Sequence, residues 1–203
     1  NYGKVFLNVK VKKKIGVDPV FRKKFWPAYL YHKLFKTAFG SMSVRQVTSD
    51  VFFEKYASND LRNGIDIVFV DGMHEHSFAF RDVENALKYL NKGGVIILHD
   101  CNPKSAESTV PFDVWAANNR QFVWNGDVWK AIVMLRSTRP DLEIFVANTD
   151  FGLGIVTKGS QEPLPYKKED VQQMQFADLD AAREQLLNLK SIPFLKEMIA
   201  KAY

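Results

Sequence analysis

Two mostly apolar runs constrain the fold of this chain more than any other feature of its sequence. The first, "IDIVFV", covers residues 65–70, and the second, "GVIIL", covers residues 94–98. Runs of this kind are typical of strands that are buried on both faces of a parallel sheet. Between them, apolar residues recur at helical spacing over residues 77–92, and the pair Gly93–Gly94 is expected to end the helix. The order strand, helix, strand predicts a βαβ unit.

The segments before this unit repeat its pattern. Residues 12–19 predict a short strand that ends in an acidic residue, and residues 43–50 predict another. A short helix is expected to follow the second strand, with Ser49 or Asp50 as its N-cap.

The segments after the unit predict a different end to the sheet. Residues 126–140 read as a helix capped by Asp127, and residues 142–159 contain two apolar runs around "TDFG", which predict a hairpin. Residues 167–203 read as a charged helical tail that is broken at Pro193. The predicted fold class is therefore α/β, with a Rossmann-like, mostly parallel sheet and a C-terminal antiparallel hairpin strand.

Composition and charge limit the function classes. The 203 residues carry a formal net charge of +5, which favours anionic partners. The basic runs are "KVKKK" (10–14) and "RKKFW" (22–26), and both are also explained by a solvated positive face. Nucleic acid is not expected as a partner, because no RNA-binding signature or zinc-finger spacing is present. The single cysteine, Cys101, predicts a reducing, cytoplasmic location, and no apolar run approaches the length of a membrane span.

Acidic and imidazole side chains follow the predicted strands. In an open α/β sheet, ligands bind beyond the carboxyl ends of the strands, so these side chains are candidates for the functional site. Taken singly, each is also explained as a turn residue, a helix cap or a surface residue. Their shared position at one edge favours a functional role. The residues concerned are Asp18, Asp50, Asp71, His74, His76, His99 and Asp100.

Asp71 and Asp100 are the most informative pair. Each follows a buried strand, and the two strands are expected to be neighbours because a helix of suitable length joins them. Two carboxylates at close range repel each other unless a proton or a cation lies between them. Oxygen ligands favour a hard divalent ion such as Mg²⁺. The alternative is that Asp100 only orients a histidine.

Five motifs now stand in a fixed order: "GVDP", "TSDVFF", "DIVFVDGMHEH", "ALKYLNKGGVIILHDCNP" and "GDVWKAIVMLR…TDFGLGIV". Over roughly residues 1–158 they resemble the class I S-adenosylmethionine-dependent methyltransferases. The branch they resemble has Asp-Gly-x-His after its fourth strand and His-Asp after its fifth, and its members often modify glycans or secondary metabolites. The combination DGxH…GGxxxxHD is the specific part of the resemblance.

The resemblance implies a role for each matching position. Asp18 would accept hydrogen bonds from the ribose of S-adenosylmethionine, and Ser49 and Asp50 would lie near its adenine. Gly3 would be the last glycine of the glycine-rich cofactor loop. Asp71 would lie at the methyl-transfer centre and contribute to cofactor binding.

The resemblance also implies the reacting groups. Asp71 and Asp100 would hold Mg²⁺ in metal-dependent relatives, which often have an amide next to the second acid. Here Cys101 stands in that place, with Asn102 one residue further on. Because of this departure, His74 or His99 is the alternative, as the general base.

One large departure concerns the start of the chain. The family's first strand and most of its glycine-rich loop should precede residue 4, so the first strand is expected to be truncated. The expected organisation is a methyltransferase-like α/β domain over residues 1–160, with its N-terminal part missing. Residues 161–203 would be a helical extension that packs on the same domain.

These observations predict an enzyme that methylates a hydroxyl oxygen of a small molecule or a glycan with S-adenosylmethionine and, in one version, Mg²⁺. Trp115, Trp124 and Trp129 would wall the acceptor site, or else belong to the core. The aromatic segment 21–39 and the tail are candidate homodimer interfaces. The alternatives are a binding module that retains the fold without catalysis and a nucleic-acid methyltransferase, which the "DGMH" at Asp71 disfavours.

Overall fold

The computed structural model describes residues 4–35, 40–118 and 121–202. The chain forms two compact units, Asn1–Arg62 and Asn63–Tyr203. The division predicted near residue 160 stays a prediction. Within the described ranges, no helix has both the length and the apolar character needed to cross a bilayer.

The first unit contains a parallel pair of strands with helices around it. Val17 lies opposite Arg45, so both strands end at the same edge, and Asp18 follows the first of them directly. Leu7, Phe25 and Tyr29 form a buried cluster in the core of the unit. The elements are α1 (Lys4–Asn8), β1 (Lys13–Val17), α2 (Phe25–Phe35), β2 (Ser41–Arg45), α3 (Ser49–Lys55) and α4 (Ala57–Asp60).

The cap of α3 corrects one expectation. Thr48, rather than Ser49 or Asp50, is the N-cap, and its side-chain oxygen accepts a hydrogen bond from the Val51 backbone N–H at 3.4 Å. Ser49 and Asp50 occupy the first turn of the helix instead. Any Ser, Thr or Asp in this stretch satisfies the cap preference, so the sequence alone did not distinguish among them.

The second unit is built on a five-stranded sheet with the order β3-β4-β6-β5-β7. β3 pairs with β4 and β5 pairs with β7 in parallel, whereas β6 runs antiparallel to both β4 and β5. The elements are β3 (Ile65–Val70), α5 (His76–Leu87), β4 (Leu90–Leu98), α6 (Phe112–Ala117), α7 (Val128–Thr138), β5 (Leu142–Ala147), β6 (Leu153–Lys158), α8 (Lys168–Gln173), α9 (Phe176–Leu187), β7 (Leu189–Lys190) and α10 (Ile192–Ala202), with a 3₁₀ turn at Ala106–Thr109. The predicted α/β class, Rossmann-like with an antiparallel hairpin, is confirmed.

β3 is not buried on both faces as its sequence predicted. Ile67 and Phe69 point to the same side of the strand, and they are 56% and 54% exposed. Among the described strands β3 pairs only with β4, so it forms an edge of this sheet. An apolar run therefore identified the strand, but did not tell how its second face is covered.

The glycine pair also has a different role from the one expected. α5 ends at Leu87, and Gly93 and Gly94 lie inside β4. Ile65 pairs with Leu90 but Ile67 pairs with Val95, so β4 bulges between them, and Gly93 takes a φ of +77° there. Glycine tolerates this left-handed conformation and thus permits the bulge.

The tail folds against the sheet of the second unit. β7 pairs with β5, an interaction that the sequence did not predict. Leu195 and Met198 of α10 pack on a buried cluster that includes Phe145 and Ile155. Pro193 lies in the first turn of α10, where its missing N–H costs no hydrogen bond, and so it starts a helix rather than breaking one.

The core of the second unit centres on α7. Its residues from Val128 to Leu135 are all buried, and the helix packs on α5 and β5. Ile132 is fully buried, and its Cδ1 would lie 2.6 Å from a Cβ added at Gly154 of β6. Close packing of this kind leaves no room for a larger residue at either position.

We therefore expect Ile132→Ala to lower the free energy of unfolding by about 2–5 kcal/mol, because it removes buried methyl groups and leaves a cavity. Denaturant unfolding monitored by circular dichroism measures the change. Ile192→Ala, at an exposed position of α10, is the matched control and should change the free energy by less than about 0.5 kcal/mol. Equal effects of the two changes would contradict this view of the core.

Candidate functional site

The ends of β3 and β4 bring four predicted residues together. Val70 pairs with Leu98, so the residues that follow the two strands emerge side by side. Asp71 follows β3, and His99 and Asp100 follow β4. His74 reaches the same place from the turn between β3 and α5. The convergence of Asp71, His74, His99 and Asp100 is the expected one.

Both histidines lie between the two carboxylates. His74 Nε2 is 3.5 Å from Asp71 Oδ1 and 3.3 Å from Asp100 Oδ2. His99 Nδ1 is 3.5 Å from Asp71 Oδ1 and 3.0 Å from Asp100 Oδ2. Asp100 is almost fully buried, whereas Asp71 is nearly half exposed, so the cluster opens to solvent on the Asp71 side.

A backbone carbonyl fixes the orientation of His74. His74 Nδ1 lies 3.0 Å from the Trp124 carbonyl oxygen, which can only accept, so Nδ1 carries the hydrogen. The ring also stacks on the Trp124 indole, with centroids 4.9 Å apart. Nε2 is thereby turned toward the two carboxylates.

Asp100 is held in an unusual backbone conformation. Its φ is +61°, a left-handed value that is uncommon for a residue other than glycine. Asn125 Nδ2 donates a hydrogen bond of 2.5 Å to Asp100 Oδ1, and Oδ2 of the same carboxylate faces the histidines. Asn125 Oδ1 is buried with no hydrogen-bond partner among the described residues. Backbone strain of this kind is common at functional sites.

A further acid, Asp150, was missed by the sequence reasoning. Its Oδ2 lies 3.3 Å from His99 Nε2, so both ring nitrogens of His99 face carboxylates. Asp150 and Phe151 both have positive φ values, in the turn between β5 and β6. The backbone N–H groups of Cys101 and Asn102 donate to the carbonyls of Gly152 and Phe151, which docks this turn beside His99. The only sequence signal was the "TDFG" turn itself.

The charges of the cluster shift one another's ionisation. Contacts with Asp100 and then Asp71 raise the pKa of His99 to about 10, against the opposing effect of burial. Burial also opposes the charge of His74, but the two carboxylates prevail and raise its pKa. His74 and His99 in turn hold the pKa of Asp71 far below its usual range. At neutral pH the cluster therefore contains imidazolium and carboxylate groups.

A second set of contacts ties residues 124–127 to the turn after β3. The Asp127 backbone N–H donates to the His74 carbonyl at 3.1 Å. Gly126 has a φ of +62°, and a Cβ added there would lie 1.7 Å from that same carbonyl oxygen. Only glycine permits this approach, so Gly126 is required for the position of His74.

His76 and Asp127 have structural roles rather than the expected ones. Asp127 accepts hydrogen bonds of 2.7 Å from both the backbone N–H and Nδ1 of His76. Its side chain thus binds the start of α5 and makes no cap bond in α7. His76 was a candidate for the functional site, but it does not face the cluster, because this bond holds its ring.

The two residues that follow Asp100 point away from the cluster. Cys101 is fully buried, and burial raises the pKa of its thiol. Asn102 is also buried; its Nδ2 donates to Asn148 Oδ1, and its Oδ1 accepts from Arg183 Nη1. Neither residue supplies an oxygen ligand next to Asp100.

The cluster fits magnesium poorly. Asp71, His74 and Asp100 each offer a ligand atom, and these atoms lie within 4.8 Å of one another. However, the His74 imidazole lies between the carboxylates, and Mg²⁺ requires an octahedral set of oxygen ligands. The imidazolium of His99 also lies close to both acids and supplies positive charge where the cation would be needed. Magnesium binding by Asp71 and Asp100 is not supported by this donor set.

The predicted cofactor residues lie in both units. Asp18, Ser49 and Asp50 belong to the first unit and Asp71 to the second, whereas Gly3 lies outside the described residues. The Asp18 carboxylate is exposed at the end of β1, where Oδ1 accepts a hydrogen bond of 2.7 Å from the Val20 N–H. The shared role of these residues in cofactor binding stays a prediction.

Only some of the expected aromatic residues adjoin the cluster. Trp129 is buried in α7, so it belongs to the core. The Trp115 and Trp124 rings stack at 4.9 Å, and the Phe112 ring lies 5.3 Å from that of Trp124. Since Trp124 also stacks on His74, these three aromatic residues form a surface next to the cluster.

Comparison with known proteins finds a family model that matches part of the chain. Residues 11–101 match the family model described as a methyltransferase domain. The match covers 91 of the 203 residues, so this part of the chain is similar to a methyltransferase domain. The matched residues include Asp18, Asp71, His74 and the His99–Asp100 pair, and the resemblance to class I S-adenosylmethionine-dependent methyltransferases is confirmed. The family implies S-adenosylmethionine as the cofactor.

Individual relatives are more distant or more partial. An uncharacterized protein of Acanthamoeba polyphaga mimivirus is 48% identical over 40 residues, which cover 20% of this chain and 18% of that protein. A crystal structure of a Corynebacterium glutamicum protein is 18% identical, over 73% of this chain and 61% of the other, with a TM-score of 0.44. Both matches span less than two thirds of the other protein, so no activity is inferred from either.

The contact between His76 and Asp127 provides a stability test. We expect Asp127→Asn to lower the free energy of unfolding by about 1–3 kcal/mol, because the amide loses the charge that binds two partly buried donors. His76 holds the pKa of Asp127 low against burial. The lowered pKa stabilises the fold above pH of about 4, and this contribution is lost as the pH falls further.

Urea unfolding at several pH values measures both effects. Asp113→Asn, at an exposed position of α6, is the control and should have little effect. A difference between Asp127→Asn and the native chain that stays constant down to pH of about 2 would contradict the assignment.

Proposed function

We propose that this methyltransferase transfers the methyl group of S-adenosylmethionine to a hydroxyl oxygen of a small molecule or a glycan. The observation that carries the proposal is the cluster of Asp71, His74, His99 and Asp100 at the carboxyl ends of β3 and β4. This edge is where ligands bind in open α/β sheets. The cluster also lies within the matched methyltransferase domain.

The residues present fit the cofactor in one respect that the structure describes. Asp18 is exposed at the carboxyl end of β1, and among the described residues only its Oδ1 has a hydrogen-bond partner. A carboxylate with a remaining acceptor at this place suits the two hydroxyl groups of a ribose. Bound S-adenosylmethionine supplies an electrophilic methyl group.

The two histidines have different roles in this proposal. His74 donates from Nδ1 to the Trp124 carbonyl, and its Nε2 faces two acids, which raise its pKa and favour its charged form. His99 receives the hydroxyl proton when its ring is neutral. Carboxylates at both of its nitrogens make it a strong base, but they also keep it protonated at neutral pH. Asp71, at the exposed side, orients the incoming hydroxyl.

The aromatic residues beside the cluster support a flat acceptor. The Trp124 ring stacks on the rings of both His74 and Trp115, and Phe112 packs on both indoles. The Nε1 atoms of Trp115 and Trp124 donate to the carbonyls of Phe122 and Val110, which fixes both rings. A rigid aromatic surface suits an aromatic ring or the apolar face of a sugar.

Replacement of Asp71 tests the site. We expect Asp71→Asn to lower kcat/KM by about 10²–10⁴-fold. The change removes the carboxylate that orients both the hydroxyl and the proton acceptor, His99. The value of kcat/KM is measured from the transfer of a labelled methyl group from S-adenosylmethionine to a panel of phenols and sugars. Asp66→Asn changes an exposed acid of the same strand and should leave the rate unchanged.

Calorimetric titration with S-adenosylmethionine separates catalysis from simple binding. Binding without transfer to any hydroxyl acceptor would favour a binding module over an enzyme. Absence of binding by the folded chain would contradict the proposal itself.

The raised pKa of His99 predicts an alkaline rate profile. Because a protonated imidazole cannot accept a proton, we expect kcat/KM to rise about tenfold per pH unit up to pH of about 10, where His99 loses its proton. His99→Gln should lower the rate and abolish the slope. A flat profile for the native enzyme over this range would show that His99 does not accept the proton.

A chelator provides the test for a metal. Since the donor set fits an imidazolium better than Mg²⁺, we expect EDTA to leave methyl transfer unchanged. Loss of activity with EDTA, restored by added Mg²⁺, would return Asp71 and Asp100 to the role of metal ligands.

A further inference from the structure

Formal charge is divided very unevenly between the two compact units. Residues 1–62 contain 13 of the 28 Lys and Arg residues but only four of the 23 Asp and Glu residues. Their net formal charge is +9, whereas that of residues 63–203 is −4. Such asymmetry is typical of a chain in which one part binds an anionic surface.

Helix α2 in the basic unit is apolar on two sides. Phe25 and Tyr29 face inward and belong to the buried core with Leu7. Trp26, Leu30 and Leu34 follow at intervals of four residues, so they line one face of the helix. They are 40%, 55% and 60% exposed. We call Trp26, Leu30 and Leu34 the outer ridge.

An exposed ridge of this kind is costly in water. Large apolar side chains that share one exposed face of a helix mark a surface that another phase or molecule covers. Lys23 and Lys24 lie just before the helix and Lys33 lies within it, and all three are exposed. Their positive charges therefore border the outer ridge.

Two features favour a lipid surface as the occupant. Interfacial helices place aromatic and aliphatic residues in the acyl region and Lys residues among the headgroups, as this arrangement would allow. The net charge of +9 complements the negative potential of an anionic leaflet. Nucleic acid also attracts positive charge, but its backbone and bases offer no apolar phase for Leu30 and Leu34.

We propose that the outer ridge of α2 and its neighbouring lysines dock the protein on the surface of an anionic membrane. Docking is peripheral, since Trp26, Leu30 and Leu34 enter only the interface. It concerns the first unit and does not depend on the proposed methyl transfer. A surface-bound enzyme would meet acceptors that are carried by, or dissolved in, the lipid layer.

Vesicle flotation with the 203-residue chain tests the proposal. We expect the chain to float with vesicles of phosphatidylcholine and phosphatidylserine but not with vesicles of phosphatidylcholine alone. The double change Leu30→Ser with Leu34→Ser should weaken binding about tenfold or more, because it removes apolar area from the interface. Lys23→Glu with Lys24→Glu should weaken it by a similar factor, and added salt should do the same to the native chain.

A matched control uses exposed apolar residues of the second unit, whose net charge is −4. Ile192→Ser with Ile199→Ser makes the same kind of change on α10, at two positions that are similarly exposed. This variant should bind vesicles as the native chain does. Circular dichroism checks that every variant remains folded.

Three results would overturn the proposal. The first is absence of vesicle binding by the folded native chain. The second is binding that survives both double changes in the first unit. The third is a dimer in analytical ultracentrifugation that Leu30→Ser with Leu34→Ser dissociates, which would assign the outer ridge to a second copy of the chain.

Discussion

The repulsion between two carboxylates at the ends of adjacent strands is the interaction on which the rest of the site depends. Asp71 and Asp100 are brought together by the parallel pairing of β3 and β4. Their charges repel unless positive charge lies between them, and the rings of His74 and His99 lie there. The raised pKa values of both histidines and the lowered pKa of Asp71 are consequences of this arrangement.

The cluster depends on distant segments of the second unit for its geometry. Residues 124–127 fix the Nδ1 hydrogen and the backbone of His74, and Asn125 holds Asp100. The strained turn that carries Asp150 docks on the backbone after Asp100 and places a third acid at His99. Such rigid support suits the proton acceptor that we propose, since small displacements of a reacting group are costly in rate.

The charge of the chain is divided unevenly along its length. The acids of the cluster belong to the unit with a net charge of −4, whereas the unit with α2 carries +9. A chain average of +5 conceals this division. Charge at the level of the compact unit is therefore the quantity that bears on the choice of partner, because electrostatic attraction acts over about a Debye length and not over the whole chain.

The sequence determined the order and type of most elements, because apolar periodicity and strand-end polarity are local properties. It also determined that Asp71, His74, His99 and Asp100 share an edge, since parallel strands end together. Only the tertiary structure decided which other residues contact these four. Trp124, Asn125, Asp127 and Asp150 meet the cluster or its turn across 25 to 51 residues of chain, and no local pattern records such contacts. It also decided that Ile67 and Phe69 stay exposed, because coverage of a strand depends on its neighbours rather than on its own residues.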